Sequence, residues 1–170
     1  MSSDSIHRRR RPHEGFTLVE ILVVLVILSI ATAVVIPRVS NMGDLQVAAA
    51  ARTAMADLQF AQNEAIVSQR PVTALFDLDQ GLYELRYADD GQLLTHPVNK
   101  SSFRVRLADT AGTDNVTILA ADFGGETSVV FDALGSPSSD GAVTFIAGGF
   151  RQRLDVAPVT GRITATAINP

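Results

Sequence analysis

The sequence predicts an α+β protein: one long N-terminal helix, hydrophobic at first and amphipathic further on, packed on a C-terminal antiparallel β-sheet head. Three observations predict it. Residues 16–36 form an apolar run whose only charge is Glu20. From Leu45 to about Ser68 an alanine-rich stretch repeats its apolar residues at spacings of three and four. After Pro71 the chain breaks into eight short runs of strand character separated by Gly, Asp and Pro turns.

The length of 170 residues suits one domain plus a membrane segment. The formal charge of −4 averages two opposed regions. Arg8, Arg9, Arg10 and Arg11 precede the apolar run, with Asp4 and Glu14 beside them. Without residues 1–15, 10 basic and 16 acidic side chains remain, a net −6. An acidic head argues against nucleic acid as a partner, because phosphate binding needs a basic surface. Cysteine is absent, which excludes disulfides, thiolate catalysis and Cys-based zinc sites.

The apolar run reads FTLVEILVVLVILSIATAVVI, and at about 1.5 Å per residue it covers roughly 32 Å, enough to cross a bilayer's hydrocarbon core. The arginine cluster before it predicts a cytoplasmic N-terminus and an exported C-terminus. A cleavable signal peptide would end in a small-residue site, and Pro37-Arg38-Val39 is a poor one. A plain membrane anchor leaves Glu20 unexplained, because a carboxylate in a membrane helix costs about 2.5–3.5 kcal/mol and marks function.

His13-Glu14-Gly15-Phe16-Thr17-Leu18-Val19-Glu20 closely resembles the type IV prepilin signature, a glycine, a cleaved bond, then Phe-Thr-Leu-x-Glu opening an apolar helix. The resemblance implies a 15-residue leader, cleavage between Gly15 and Phe16 by a prepilin peptidase, and N-methylation of Phe16. It also implies that the new ammonium at Phe16 pairs with Glu20 of a neighbouring subunit, setting axial register during assembly. In apolar surroundings such a pair is strongly favoured over two isolated charges. The leader is longer than many in that family, and Glu14 places a negative charge beside the cut.

Pro37 closes the apolar run, and its missing N–H predicts either a kink or a helix boundary at the membrane surface. Residues 37–70 are expected to continue the helix. Val47, Ala51, Ala54, Leu58, Ala61 and Ala65 form one apolar stripe, with Arg52, Asp57, Gln59, Gln62 and Glu64 largely outside it, and Pro71 ends the pattern. Small alanines let a sheet approach closely.

Residues 71–170 read as the head, with strands predicted at Val72–Asp77, Leu82–Tyr87, Phe103–Leu107, Val116–Ala120, Ser128–Asp132, Ala142–Ile146, Arg151–Val156 and Arg162–Thr166. Asp89-Asp90-Gly91 and Gly148-Gly149 are natural turns. Within the head, the order Phe131-x-x-x-Gly135, Val143-x-Phe145 and Thr160-Gly161-Arg162-Ile163 is similar to the H-type minor pseudopilins of type II secretion and their type IV pilus relatives, the GspH/FimT group.

Asp77-x-Asp79-x-Gly81 resembles part of a calcium loop but lacks its third acidic position and distal glutamate, so a hairpin turn is the better reading. His96 is the one histidine beyond residue 15, and no G-x-S-x-G elbow accompanies Ser68, Ser101 or Ser128. No catalytic residue, metal ligand or cofactor site is expected. The resemblances imply a minor pseudopilin of type II secretion in the bacterial inner membrane, with its head in the periplasm. Its implied partners are other pseudopilins or pilins, the prepilin peptidase, the inner-membrane secretion platform and, before assembly, membrane lipid. The alternative is a minor pilin of a type IV pilus that helps DNA uptake, where a Gly-Arg-x-Arg turn can touch DNA. Here Gly161-Arg162-Ile163-Thr164 puts threonine in the second basic position.

Overall fold

The computed structural model describes the backbone of residues 16–40 and 42–168, and the side chains of 16–31 and 42–168. The expected leader, residues 1–15, lies outside them, as does the side chain of Pro37. The chain divides into two units, residues 1–40 and 41–170.

The first unit holds helix α1, Leu18–Ser40. Its helical backbone runs through Pro37 and on for three more residues. Every described side chain from Phe16 to Ala31 is exposed.

The second unit opens with α2, Met42–Ser68. Its buried residues are the expected stripe plus Ala50, each at most 1 % exposed. Five of these seven are alanine, so the helix axis can come close to the sheets without bulky side chains intervening. The helix ends where Gln69 turns left-handed, φ 56°, while its amide Nε2 donates to the Ile66 carbonyl at 2.6 Å. A glycine usually takes that place. Pro71 then prevents any return to helix.

Eight strands follow among the described residues: β1 Val72–Asp77, β2 Leu82–Tyr87, β3 Arg104–Arg106, β4 Thr117–Asp122, β5 Ser128–Phe131, β6 Gly141–Ala147, β7 Phe150–Val156 and β8 Ile163–Ile168. Each predicted strand is present, β1 and β2 at their predicted bounds and the others with ends moved by at most two residues. The head's strands form two four-stranded antiparallel sheets rather than one, ordered β3-β2-β1-β5 and β4-β6-β7-β8. The division arises because β5 pairs with β1, not with its sequence neighbours β4 and β6. α2 touches β1 and β5 of the first sheet and β6, β7 and β8 of the second, so one helix face covers the inner face of both.

Alternation places Val72, Ala74 and Phe76 of β1, Val143, Phe145 and Ala147 of β6, and Leu154 and Val156 of β7 in a common core. Phe123, just past β4 of the second sheet, stacks on Phe76 of the first with ring centroids 5.9 Å apart. At β3 the expected alternation holds: Phe103 and Leu107 are buried while Arg104 and Arg106 face solvent. Asp77 to Gly81 is the hairpin turn between β1 and β2, held by the Gln80 N–H donating to Asp77 Oδ1 at 2.9 Å.

Two tyrosines of β2 tie the first sheet to α2. The Tyr83 hydroxyl donates to Asp57 Oδ2 at 2.5 Å, and the Tyr87 hydroxyl donates to Glu64 Oε1 at 2.8 Å. Glu84, only 7 % exposed, accepts from Arg86 and Arg104, so the buried carboxylate is doubly paired. Burial pushes the Asp57 carboxyl above its ordinary value, against the opposing pull of the Tyr83 bond and the nearby His96. A carboxyl raised in the folded state binds its proton more tightly there than in the unfolded chain. Its stabilisation is therefore full below the ordinary carboxylate value and is lost as pH rises through the raised one. Asp57→Asn keeps an acceptor for Tyr83 and removes the titration. Thermal melts across roughly pH 3 to 7 should fall less steeply with pH in the variant than in wild type.

Candidate functional site

The residues singled out by sequence lie at the start of α1. Phe16 is 75 % exposed, and Glu20 is exposed in the helix's first turn. Gly15 lies outside the described residues. The Thr17 hydroxyl accepts from the Glu20 N–H at 3.1 Å, and the Thr17 carbonyl accepts from the Ile21 N–H at 3.2 Å, so Thr17 caps the helix. The signal for this cap is the pattern Thr-x-x-Glu ahead of an apolar run. A carboxylate in the first turn also suits the positive end of the helix dipole.

From Leu18 to Ile30 the helix presents large apolar side chains 45–82 % exposed on all its faces. A helix apolar all round needs an apolar environment on every side. Within it Ser29 Oγ donates back to the Leu25 carbonyl at 2.8 Å, which satisfies its hydroxyl without water. No helix among the described residues is long and apolar enough to cross a membrane, and the side chains of the last five residues of the expected span, 32–36, lie outside them.

The C-terminal motifs have a common physical purpose that the sequence did not show. Phe131, Val143, Phe145 and Ile163 are buried in the core. The motif glycines, Gly135 and Gly161, converge instead on α2. Gln62 Nε2 donates to the Gly135 carbonyl at 2.7 Å and to the Thr160 carbonyl at 3.0 Å. Gly135 and Gly161 have φ of +81° and +62°. A Cβ on Gly161 would lie 2.5 Å from Gln62 Nε2, and one on Gly135 would lie 2.7 Å from Ile66 Cδ1. One amide thus clamps two glycine turns, far apart in sequence, onto the helix. Gln62 carried no sequence signal beyond being a polar residue flanking the stripe. Arg162 itself is exposed, as is Thr164.

Replacing Gln62 by Met keeps the bulk and leaves two carbonyls without their donor, at a cost of about 1–3 kcal/mol. Gln62→Glu should melt lower still at neutral pH, because a carboxylate would face both carbonyl oxygens. Thermal melts of the two variants beside wild type check this order.

Comparison with known proteins agrees with this architecture. Residues 50–160 match the family described as type II transport protein GspH, and residues 10–36 match the prokaryotic N-terminal methylation motif. No curated protein sequence matches the chain. The fold is similar to the minor pseudopilin EpsH of the type 2 secretion system of Vibrio cholerae, with a TM-score of 0.57 at 15 % identity over 72 % of this chain and 97 % of that one. A second EpsH structure gives 0.54 at 15 % identity, covering 74 % and 94 %. The type IV minor pilin FimU of Pseudomonas aeruginosa gives 0.52 at 18 % identity, covering 72 % and 92 %. The GspH match takes in α2 from Ala50 onward, strands β1 to β7 and the Gly135 turn, and it ends at Thr160, one residue before the second clamped glycine. The methylation motif takes in α1 as far as Ile36. This chain belongs to the GspH family of pseudopilins.

Proposed function

We propose that the protein is a minor pseudopilin that assembles through α1 into the periplasmic pseudopilus of a type II secretion system. The observation that carries this reading is a helix apolar on every face with one carboxylate in its first turn. Lipid covers such a helix before assembly, and neighbouring helices cover it afterwards. In this reading the precursor sits in the inner membrane, N-terminus cytoplasmic and head periplasmic. Prepilin peptidase removes residues 1–15 and methylates Phe16. The inner-membrane platform then raises the subunit, as the Phe16 ammonium of one subunit meets Glu20 of the next. The chain contributes assembly rather than catalysis.

Mass spectrometry of protein extracted from membranes tests the processing step. The expected N-terminus is N-methyl-Phe16, and Gly15→Leu should leave the precursor intact. A mature protein that still begins at Met1, in cells with active peptidase, overturns the reading. The FimU fold supports a second reading, a minor pilin of a type IV pilus. Deleting the gene separates the two: loss of protein export with pili intact supports the pseudopilus, and the converse supports the pilus.

A further inference from the structure

Two sheets have four edge strands, and three of those edges are blunted. β3 is three residues long and carries Arg104 and Arg106. β4 is interrupted by a bulge between Ile118 and Ala120 and ends on Asp122. β5 is four residues long, and its neighbouring loop folds back on it, with the Ser138 N–H donating to the Val130 carbonyl at 2.7 Å and Phe131 bridged to Pro137. Short length, charge, bulges and covering loops are how proteins keep edges from recruiting foreign strands.

β8 has none of these. It reads Ile-Thr-Ala-Thr-Ala-Ile, six uncharged residues without proline, and all but Ile163 are exposed. The Ala157 N–H donates to the Arg162 carbonyl at 2.9 Å, which fixes the alternation of the β7–β8 ladder. Thr164, Thr166 and Ile168 therefore bond to β7. The N–H and C=O groups of Ala165 and Ala167 point the other way, along an edge that no described strand covers. Beside that edge, under α2, lies a cavity of about 270 Å³ lined by Ala48, Ala51, Arg52, Gln152, Ala165 and Ala167, which leaves room for side chains of an added strand.

We propose that β8 is an assembly edge, completed by an extended, uncharged strand from a different pilin-like subunit. This rests on the pseudopilin reading above. The occupant is not a second copy, for two reasons. Head-to-tail addition of identical heads would need another open edge, and the other three are blunted. Antiparallel pairing of β8 with itself places a two-fold axis across the sheet, which reverses α2 between the two copies. The Met42 ends of the two α2 helices, each joined within two residues to an α1, would then lie on opposite sides of the pair, which two chains anchored in one membrane do not accommodate.

The absence of cysteine makes the test clean, since each introduced thiol is the only one in the chain. Full-length Thr166→Cys and Thr117→Cys variants are made in the native host and treated with a short bis-thiol-reactive or thiol–amine crosslinker, and the products are identified by mass spectrometry. Thr166→Cys should join a different pilin-like subunit, and Thr117→Cys, on the blunted β4, should not. Ala165→Pro removes one outward N–H and no bond to β7, and proline is tolerated at such positions. Ala167→Lys places a charge on the same edge. In the Thr166→Cys background Ala165→Pro should lower the crosslink by about tenfold, the loss expected from one backbone hydrogen bond, and Ala167→Lys should lower it as well, because an uncharged added strand gives the ammonium no partner. Melting temperature in detergent should stay within a few degrees of wild type for at least one of the two. Crosslinks to a second copy or to exported cargo overturn the proposal, as do undiminished crosslinks in a folded Ala165→Pro or Ala167→Lys chain. Normal leader processing with no Thr166 crosslink overturns the edge and leaves the pseudopilin reading standing, whereas failure of processing sinks that reading itself.

Discussion

Cells carrying Glu20→Val are expected to insert and process the subunit normally and to leave it out of the filament. Glu20 is exposed in the first turn of a helix whose other residues from Leu18 through Leu28 are all apolar. Its removal relieves a membrane-insertion cost of about 2.5–3.5 kcal/mol, so insertion should be at least as efficient as in wild type. The bond proposed to be cut, Gly15–Phe16, precedes the first residue of α1, Leu18, in sequence, and cleavage should survive. Assembly should not, because the neighbouring Phe16 ammonium would enter a water-poor core without its carboxylate. Glu20→Asp, with its charge kept and its reach shortened, should be intermediate. Glu20→Gln separates this role from the helix-start role that the Thr17 cap brings to light. If Glu20 serves only the cap and the dipole, Gln behaves nearly as wild type. If it pairs with an ammonium, Gln fails as Val does. Crosslinking to partner subunits, with precursor processing followed in parallel, reads both outcomes, and wild-type incorporation of Glu20→Val would show the carboxylate to be incidental.

Gly141→Ala is expected to be the most damaging single methyl group in the head. A Cβ there would lie 2.2 Å from the Asp122 carbonyl oxygen, 2.6 Å from Phe123 Cδ1 and 2.7 Å from Phe123 Cα. Two of these three atoms are backbone, so a side-chain rotation cannot relieve the clash. β6 must move away from the end of β4. Phe123 must move with it, and Phe123 is the ring that stacks on Phe76 across the two sheets. The cost should reach about 3 kcal/mol, at the upper end for overpacking, and lower the melting temperature by roughly 10 °C. Gly125→Ala is the control: it has open space around its Cβ, so any loss there reflects its φ of +94° alone. Equal melting of the two variants would mean that the Gly141 contact costs no more than the positive φ at Gly125.

Much of the architecture was legible because its signals are local. The stripe Val47, Ala51, Ala54, Leu58, Ala61 and Ala65 is a one-dimensional pattern of helical period, and every member is buried. The eight strands were each marked by β-branched and aromatic residues between turn residues. Their pairing was not legible, since a period of two says that a strand has an inner face and is silent on its neighbour. The pairing of β5 with β1, which splits the head into two sheets, spans more than fifty residues and leaves no mark at either strand.

By itself the sequence determined the bipartite helix, the Gly15-Phe16 and Glu20 signature and the strand content, because charge, apolar run length and periodicity are properties of neighbouring residues. Only the tertiary structure decided what the motif glycines are for. Gly135 and Gly161 look like turn residues anywhere in a chain, and the fold gives them a shared task because α2 brings Gln62 within 3.0 Å of both turns. It also decided which edge is open. The exposure of Ala165 and Ala167 follows from β8 being last in its sheet and from the Ala157–Arg162 bond that fixes which backbone groups face β7. Both depend on the positions of atoms far apart along the chain, and no local pattern encodes them.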